Sequence, residues 1–182
     1  LHRGFRTWEW IRGQEFDAYR SAPLSKLKLD DHIKDSYTPQ WRRIVETALK
    51  NVEEFETADD HYCARLTKTA SAWIERNRGQ APMFVWLDSF DPHEPWTPPA
   101  VFDRYTDYAY RGKRLVLPPG GMASDHFSEE EIAYIRGLYA GECAYVDHYI
   151  GRFLDQLRAL NLYDDALIIL IADHGHPLAD HG

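Results

Sequence analysis

The sequence predicts an α/β fold: three layers, α/β/α, around a mainly parallel sheet. Three observations predict it. Residues 166–172 read Ala-Leu-Ile-Ile-Leu-Ile-Ala, an unbroken apolar run with three β-branched positions, as in a strand buried on both faces. Residues 82–87, Pro-Met-Phe-Val-Trp-Leu, form a second such run. Between the two lies the longest helical pattern of the chain. Strand, crossover helix, strand is the right-handed unit of a parallel sheet.

Bulk properties narrow the class. The 182 residues suffice for one domain with a sizeable core. A hydrophobic share of 44% and an aromatic share of 14% exclude a disordered chain. The net charge of -8 argues against a nucleic-acid-binding surface. It leaves room for an anionic substrate, because a bound metal reverses the local field. No run approaches the roughly 20 apolar residues of a membrane span. Leu1-His2-Arg3-Gly4-Phe5-Arg6 lacks an apolar signal core, and the chain does not begin with Met. Residues 1–182 are therefore read as part of one domain, truncated at both ends. Cys63 and Cys143 fall in predicted helices and read as small core residues.

In chain order, the aromatic stretch around Trp8 and Trp10 reads as a connecting segment anchored by those rings. Residues 21–35 read as an exposed loop. Thr38-Pro39 starts a helix, with Thr as cap and Pro in the first turn. Trp41, Ile44, Val45, Leu49 and Val52 give it an apolar stripe. Thr57 caps a second helix, striped by Tyr62, Leu66, Trp73 and Ile74 and ended by Gly79. Asp59 and Asp60 sit in its first turn, where acids favour the helix dipole, so no metal cluster is needed to explain them.

Residues 100–127 are a long excursion rich in aromatics, with Pro118-Pro119-Gly120-Gly121 as its turn. A loop of that length reads as functional or as a lid. Ser128-Glu129-Glu130-Glu131 is a capping box. Ile132, Ile135, Tyr139, Cys143, Val146, Ile150, Phe153, Leu157 and Leu160 then recur at helical spacing, and Asn161 ends the helix. Glu142, Asp147 and His148 read as a solvated or ion-paired face. Gly137, Gly141 and Gly151 cost helix stability, which close packing would explain.

Two loops carry the candidate chemistry. Asp173-His174-Gly175-His176-Pro177-Leu178-Ala179-Asp180-His181-Gly182 follows the first apolar run and crowds three histidines and two aspartates together. In open α/β sheets, ligands bind at the carboxyl ends of strands. Asp173 and His174 can serve one centre only if the chain leaves strand geometry there, since strand neighbours point to opposite faces. Gly175 makes that departure cheap. A turn without any metal is the alternative. The second loop, Asp91-Pro92-His93-Glu94-Pro95-Trp96, follows the other run. Its prolines stiffen the backbone around His93. Two readings of His93 stand: a functional imidazole on a rigid loop, or a ring packed against Trp96.

Both loops resemble the sulfatase family of the alkaline phosphatase superfamily. Asp-His-Gly-x-x-Leu-x-x-His-Gly is similar to its metal-binding segment, and Pro-His-Glu-Pro to its Pro-His-x-Pro loop. Ile11-Arg12-Gly13-Gln14-Glu15 and the helix from Leu138 to Arg152 also look like that family. The resemblance implies an alkaline phosphatase-like fold, with Asp173 and His174 as metal ligands. It implies that His93 contacts the sulfate or the leaving oxygen. The implied cofactor is a divalent ion, Ca2+ first, with Mn2+ or Zn2+ open. The implied substrate is a sulfate ester. No family role falls on Asp88, Asp91 or Glu94, and Ala179 stands where Gly is common. The family nucleophile is a formylglycine made from Cys in Cys-x-Pro-Ser-Arg. Neither Cys63 nor Cys143 has that context, so the nucleophile is expected outside this chain. The rival expectations are a phosphodiesterase or phosphonate monoester hydrolase, and a non-catalytic anion- or protein-binding module.

Overall fold

The structure is a computed structural model, and it describes residues 3–14, 16–80 and 82–180. Glu15 of the Ile-Arg-Gly-Gln-Glu stretch and His181-Gly182 of the last motif lie outside the described residues. Among the described residues there are four α-helices: α1 (Pro39–Val52), α2 (Tyr62–Asn77), the short α3 (Ala123–His126) and the long α4 (Glu129–Ala159). Single 3-10 turns form at Leu29–Asp31 and Ala58–Asp60.

The helix starts follow the sequence. Thr38 is extended and its hydroxyl accepts from Trp41 N at 3.2 Å, with Pro39 in the first turn of α1. Ser128 and Glu131 cap α4 reciprocally. Thr57 also forms a capping box, with Asp60, but that box closes the 3-10 turn, and α2 begins only after His61. Past α4, Asn161 takes a left-handed conformation, and Leu162 N bonds Leu157 O while Asn161 N bonds Arg158 O. Those two bonds satisfy the last carbonyls in a Schellman motif.

Two cores result. α2 packs on the middle of α4 through Cys63 and Ala64 against Tyr145, Val146 and Tyr149. α1 and the first half of α4 enclose Leu115, Val116 and Leu117, all 0% exposed. The excursion read as functional or as a lid thus also supplies core. Its backbone is pinned by Trp96 N to Val116 O (2.7 Å) and by Trp41 Nε1 to Leu117 O (3.0 Å). The loop read as exposed also contributes Ile33 to this core. A Cβ on Gly137 would meet Tyr105 O at 2.7 Å, and one on Gly141 would meet Phe102 O at 2.9 Å. Close packing therefore explains both glycines. Gly151 has open space instead.

Polar bonds hold the N-terminal segment. Trp8 and Trp10 are 56% and 61% exposed and lie against each other. The Asn51 side chain, buried at the end of α1, donates to the carbonyls of Gly13 and Asp17. Tyr62 Oη donates to Gly13 O as well.

The α/β/α expectation is not met. Among the described residues there is no strand and no sheet, and the regular structure is helical throughout. Neither apolar run forms a backbone hydrogen bond to another segment among the described residues. Both runs face outward: Leu167 is 88% exposed, Ile171 76% and Phe84 72%. A strand exists only through the ladder of a neighbour, and no described segment pairs with either run through backbone hydrogen bonds. Apolar composition reports what a segment prefers once paired. It does not supply the partner. Among the described residues no helix is long and apolar enough to cross a membrane.

Candidate functional site

Trp96 anchors the first loop. It is buried, and its Nε1 donates back to Pro92 O at 3.0 Å, closing the turn around His93. The Asp91–Pro92 and Glu94–Pro95 peptide bonds are cis. The Asp91 carboxylate accepts from Cys63 N in the first turn of α2 at 2.8 Å, where the helix dipole favours a negative charge. Pro98 packs against Gly141 of α4. The His93 ring rests on Phe90 at 4.3 Å between centroids, and its Nδ1 bonds Glu94 O at 3.0 Å.

The second loop is clamped by α4. Arg136 donates from Nε to Leu178 O at 2.7 Å and from Nη2 to Ala179 O at 3.1 Å. Ala179 takes a left-handed conformation there. His176 packs edge-on against Trp96 and Tyr139. A cavity of about 280 Å³ opens beneath, lined in part by Trp96, Ile135, Arg136, His176 and Leu178. The Pro118–Gly121 turn, Glu94 and Asp180 line it as well.

The two loops meet at His176. Its ring lies 4.7 Å from that of His93 and 5.8 Å from that of His174. His93 and His174, both singled out by sequence, are thus joined through a residue to which sequence gave no role. Asp173 is 89% exposed; its Oδ1 accepts from His174 N at 2.9 Å, and its Oδ2 lies 3.6 Å from His174 Nε2. Burial lowers the His176 pKa; Glu94 opposes that shift, and the other two imidazoles add to it.

Behind the first loop sits a buried carboxylate pair. Burial pushes Asp91 up to about 6, against the hydrogen bond from Cys63 N. Glu142 is pushed up too, by burial first and by Asp91 second. Its Oε2 has no hydrogen-bond partner. Glu142 was expected on a solvated or ion-paired face and is instead 3% exposed. Its spacing of seven from Ile135 places it on the buried stripe, which was the available signal. Glu94 was passed over as well, although it adjoins His93 in a rigid turn. Cys63 is a buried free thiol whose pKa burial raises to about 12, so it is a poor nucleophile.

A model of the sulfatase family matches residues 3–182. The chain belongs to the sulfatase family. Among curated proteins, it is 27% identical to an arylsulfatase of Clostridium perfringens over 126 residues, covering 60% of this chain and 25% of that protein. It is 26% identical to the multifunctional alkaline phosphatase superfamily protein PehA of Trinickia caryophylli, covering 85% of this chain and 35% of PehA. A choline-sulfatase of Rhizobium meliloti is 23% identical over 58% of this chain and 24% of its own length. This sulfatase-family chain therefore spans about a quarter to a third of those relatives. No solved structure matched it.

Proposed function

We propose that this chain contributes to a site that hydrolyses sulfuric esters. In that site Asp173 and His174 hold a divalent cation, and His93 contacts the anionic ester. Family membership, together with the row His93, His176, His174 beside a cavity, carries this reading. The donor pair suits an ion. Asp173 Oδ2 and His174 Nε2 lie 3.6 Å apart and face solvent, so one ion at about 2.0–2.6 Å can reach both. The family resemblance names Ca2+, while the imidazole also suits Mn2+ and Zn2+.

When bound, the cation would offset negative charge on the sulfate. His93 would donate a hydrogen bond to a sulfate oxygen, or a proton to the departing alkoxide. Phe90 and the Trp96–Pro92 bond hold the loop that carries His93, so little entropy is lost on contact. A second reading, hydrolysis of phosphodiesters or phosphonate monoesters, is favoured by the likeness to PehA, whose name describes a multifunctional superfamily member.

The test compares the full-length protein on an aryl sulfate and on an aryl phosphodiester. Greater kcat/KM on the sulfate, lost in Asp173→Asn and reduced about 10²–10⁴-fold in His93→Ala, supports the reading. Greater turnover of the phosphodiester supports the second. Full sulfate activity in both variants would remove these residues from the mechanism.

A further inference from the structure

We propose that His93, Glu94 and His176 form a binding site for a transition-metal ion of the zinc class, distinct from the Asp173–His174 pair. One ligand atom from each of the three lies within 4.8 Å of the others. Glu94 Oε2 is 3.2 Å from His93 Nδ1 and 3.6 Å from His176 Nδ1. Bonds of about 2.0–2.2 Å at tetrahedral angles separate ligand atoms by roughly 3.3–3.6 Å. Both edges therefore stand close to those of a filled site, and the third lies within 4.8 Å.

A second observation points to an ion. Glu94 Oε2 is buried and accepts no hydrogen bond, although two imidazole nitrogens face it. The His93 Nδ1 hydrogen bond goes to the Glu94 carbonyl instead. A carboxylate oxygen and two ring nitrogens converging without a shared hydrogen bond is a donor set lacking its acceptor. A cation supplies it. Binding would break the Nδ1 bond to Glu94 O and leave the ring proton on Nε2 of His93.

The donor chemistry selects the ion. Two imidazoles and one carboxylate are the protein ligands of zinc sites that keep a fourth position open. Ca2+ needs six to eight oxygens, and here a single carboxylate is on offer. The ligands are held from both sides: Phe90 backs His93, and Trp96 and Tyr139 back His176. The ion's consequence rests on the proposed function: with Nδ1 of His93 on the ion, the proton-bearing Nε2 is the part of that ring left to meet the ester.

The test is a Co2+ titration of the protein followed by visible absorption, which needs no turnover. The expected result is one equivalent of Co2+ with the d–d bands of a four- or five-coordinate ion, displaced by Zn2+. Glu94→Gln and His176→Ala should each weaken binding at least about 100-fold, since outer-shell losses alone cost roughly 10–100-fold. Asp173→Asn and His174→Ala should leave the bands unchanged. The near-isosteric Glu94→Gln, checked by circular dichroism, guards against misfolding. Absence of the bands, or bands that survive Glu94→Gln and His176→Ala, would overturn the proposal. Bands that need Asp173 and His174 would overturn it too, while leaving the proposed function standing.

Discussion

The hydroxyl of Tyr145, at the middle of α4, accepts a hydrogen bond from the backbone N of Ala64 in the first turn of α2, at 2.8 Å. Both residues are fully buried. The first N–H groups of a helix have no partner within it, so α4 satisfies an orphan donor of α2 across the helix interface. Tyr145→Phe keeps the ring and removes the acceptor. It should destabilise the protein by about 1–3 kcal/mol, the cost of a buried unsatisfied donor. Urea unfolding measures this, and an unchanged midpoint would mean that the interface relaxes to pair Ala64 elsewhere.

The glycines of α4 make opposite predictions from one residue type. Gly137 faces the backbone of Tyr105 and Thr106, which no side-chain rotation can move aside. Gly137→Ala should cost roughly 1–3 kcal/mol through overpacking, despite the helix preference for Ala. Gly151 is exposed with no atom near its absent Cβ. Gly151→Ala should stabilise by about 0.8–1 kcal/mol. Thermal melts of the pair test both signs, and a shared sign would show that packing is not what separates them.

The same helix shows where sequence was readable. Caps were legible because they are local: Thr38 with Trp41, and Ser128 with Glu131, lie three residues apart. Which face of α4 is buried was only partly legible. Ile135 and Val146 were expected in the core, whereas Leu138 and Tyr145, fully buried, were not. A 31-residue helix packs one half on residues 115–117 and the other on α2, so no single stripe describes it. The sheet was misread because residues 82–87 and 166–172 state a preference that needs a partner. His93 and His174 were found by their loops. His176 and Glu94 gained their place only from contacts across the chain, which spacing does not encode.

Asp91 and Glu142 set a pH dependence of defined sign. A carboxyl whose folded pKa is raised gives stability that is fully present below its unfolded pKa, and loses it as pH rises through the folded value. For Asp91 the window runs from the ordinary 3.8 to about 6. The loss amounts to about 3 kcal/mol at most. Asp17, Asp59, Asp60, Glu53 and Glu131 have lowered values and act in the opposite sense, losing stability toward acid. The informative quantity is therefore the difference between wild type and Glu142→Gln. That variant should gain melting temperature relative to wild type above pH 6 and lose the advantage near pH 4. Parallel curves across that range would show that the pair does not titrate with folding.

Arg136 holds the loop that carries Asp173, His174 and His176, and it does so at the surface. Its guanidinium binds two successive carbonyls, Leu178 O and Ala179 O, and lies 3.7 Å from Asp180. A planar fork can span both acceptors, whereas an ammonium is a point donor. Because the side chain is half-exposed, Arg136→Ala should change global stability by less than about 1 kcal/mol. Locally, freeing both carbonyls should release residues 177–180. Hydrogen exchange resolved by peptide should therefore rise over this loop while exchange in α2 stays unchanged, and Arg136→Lys should restore only part of the protection. Full protection in Arg136→Lys would mean that charge, not the paired geometry, holds the loop. Unchanged exchange in Arg136→Ala would assign the clamp to the packing of His176 against Trp96 and Tyr139.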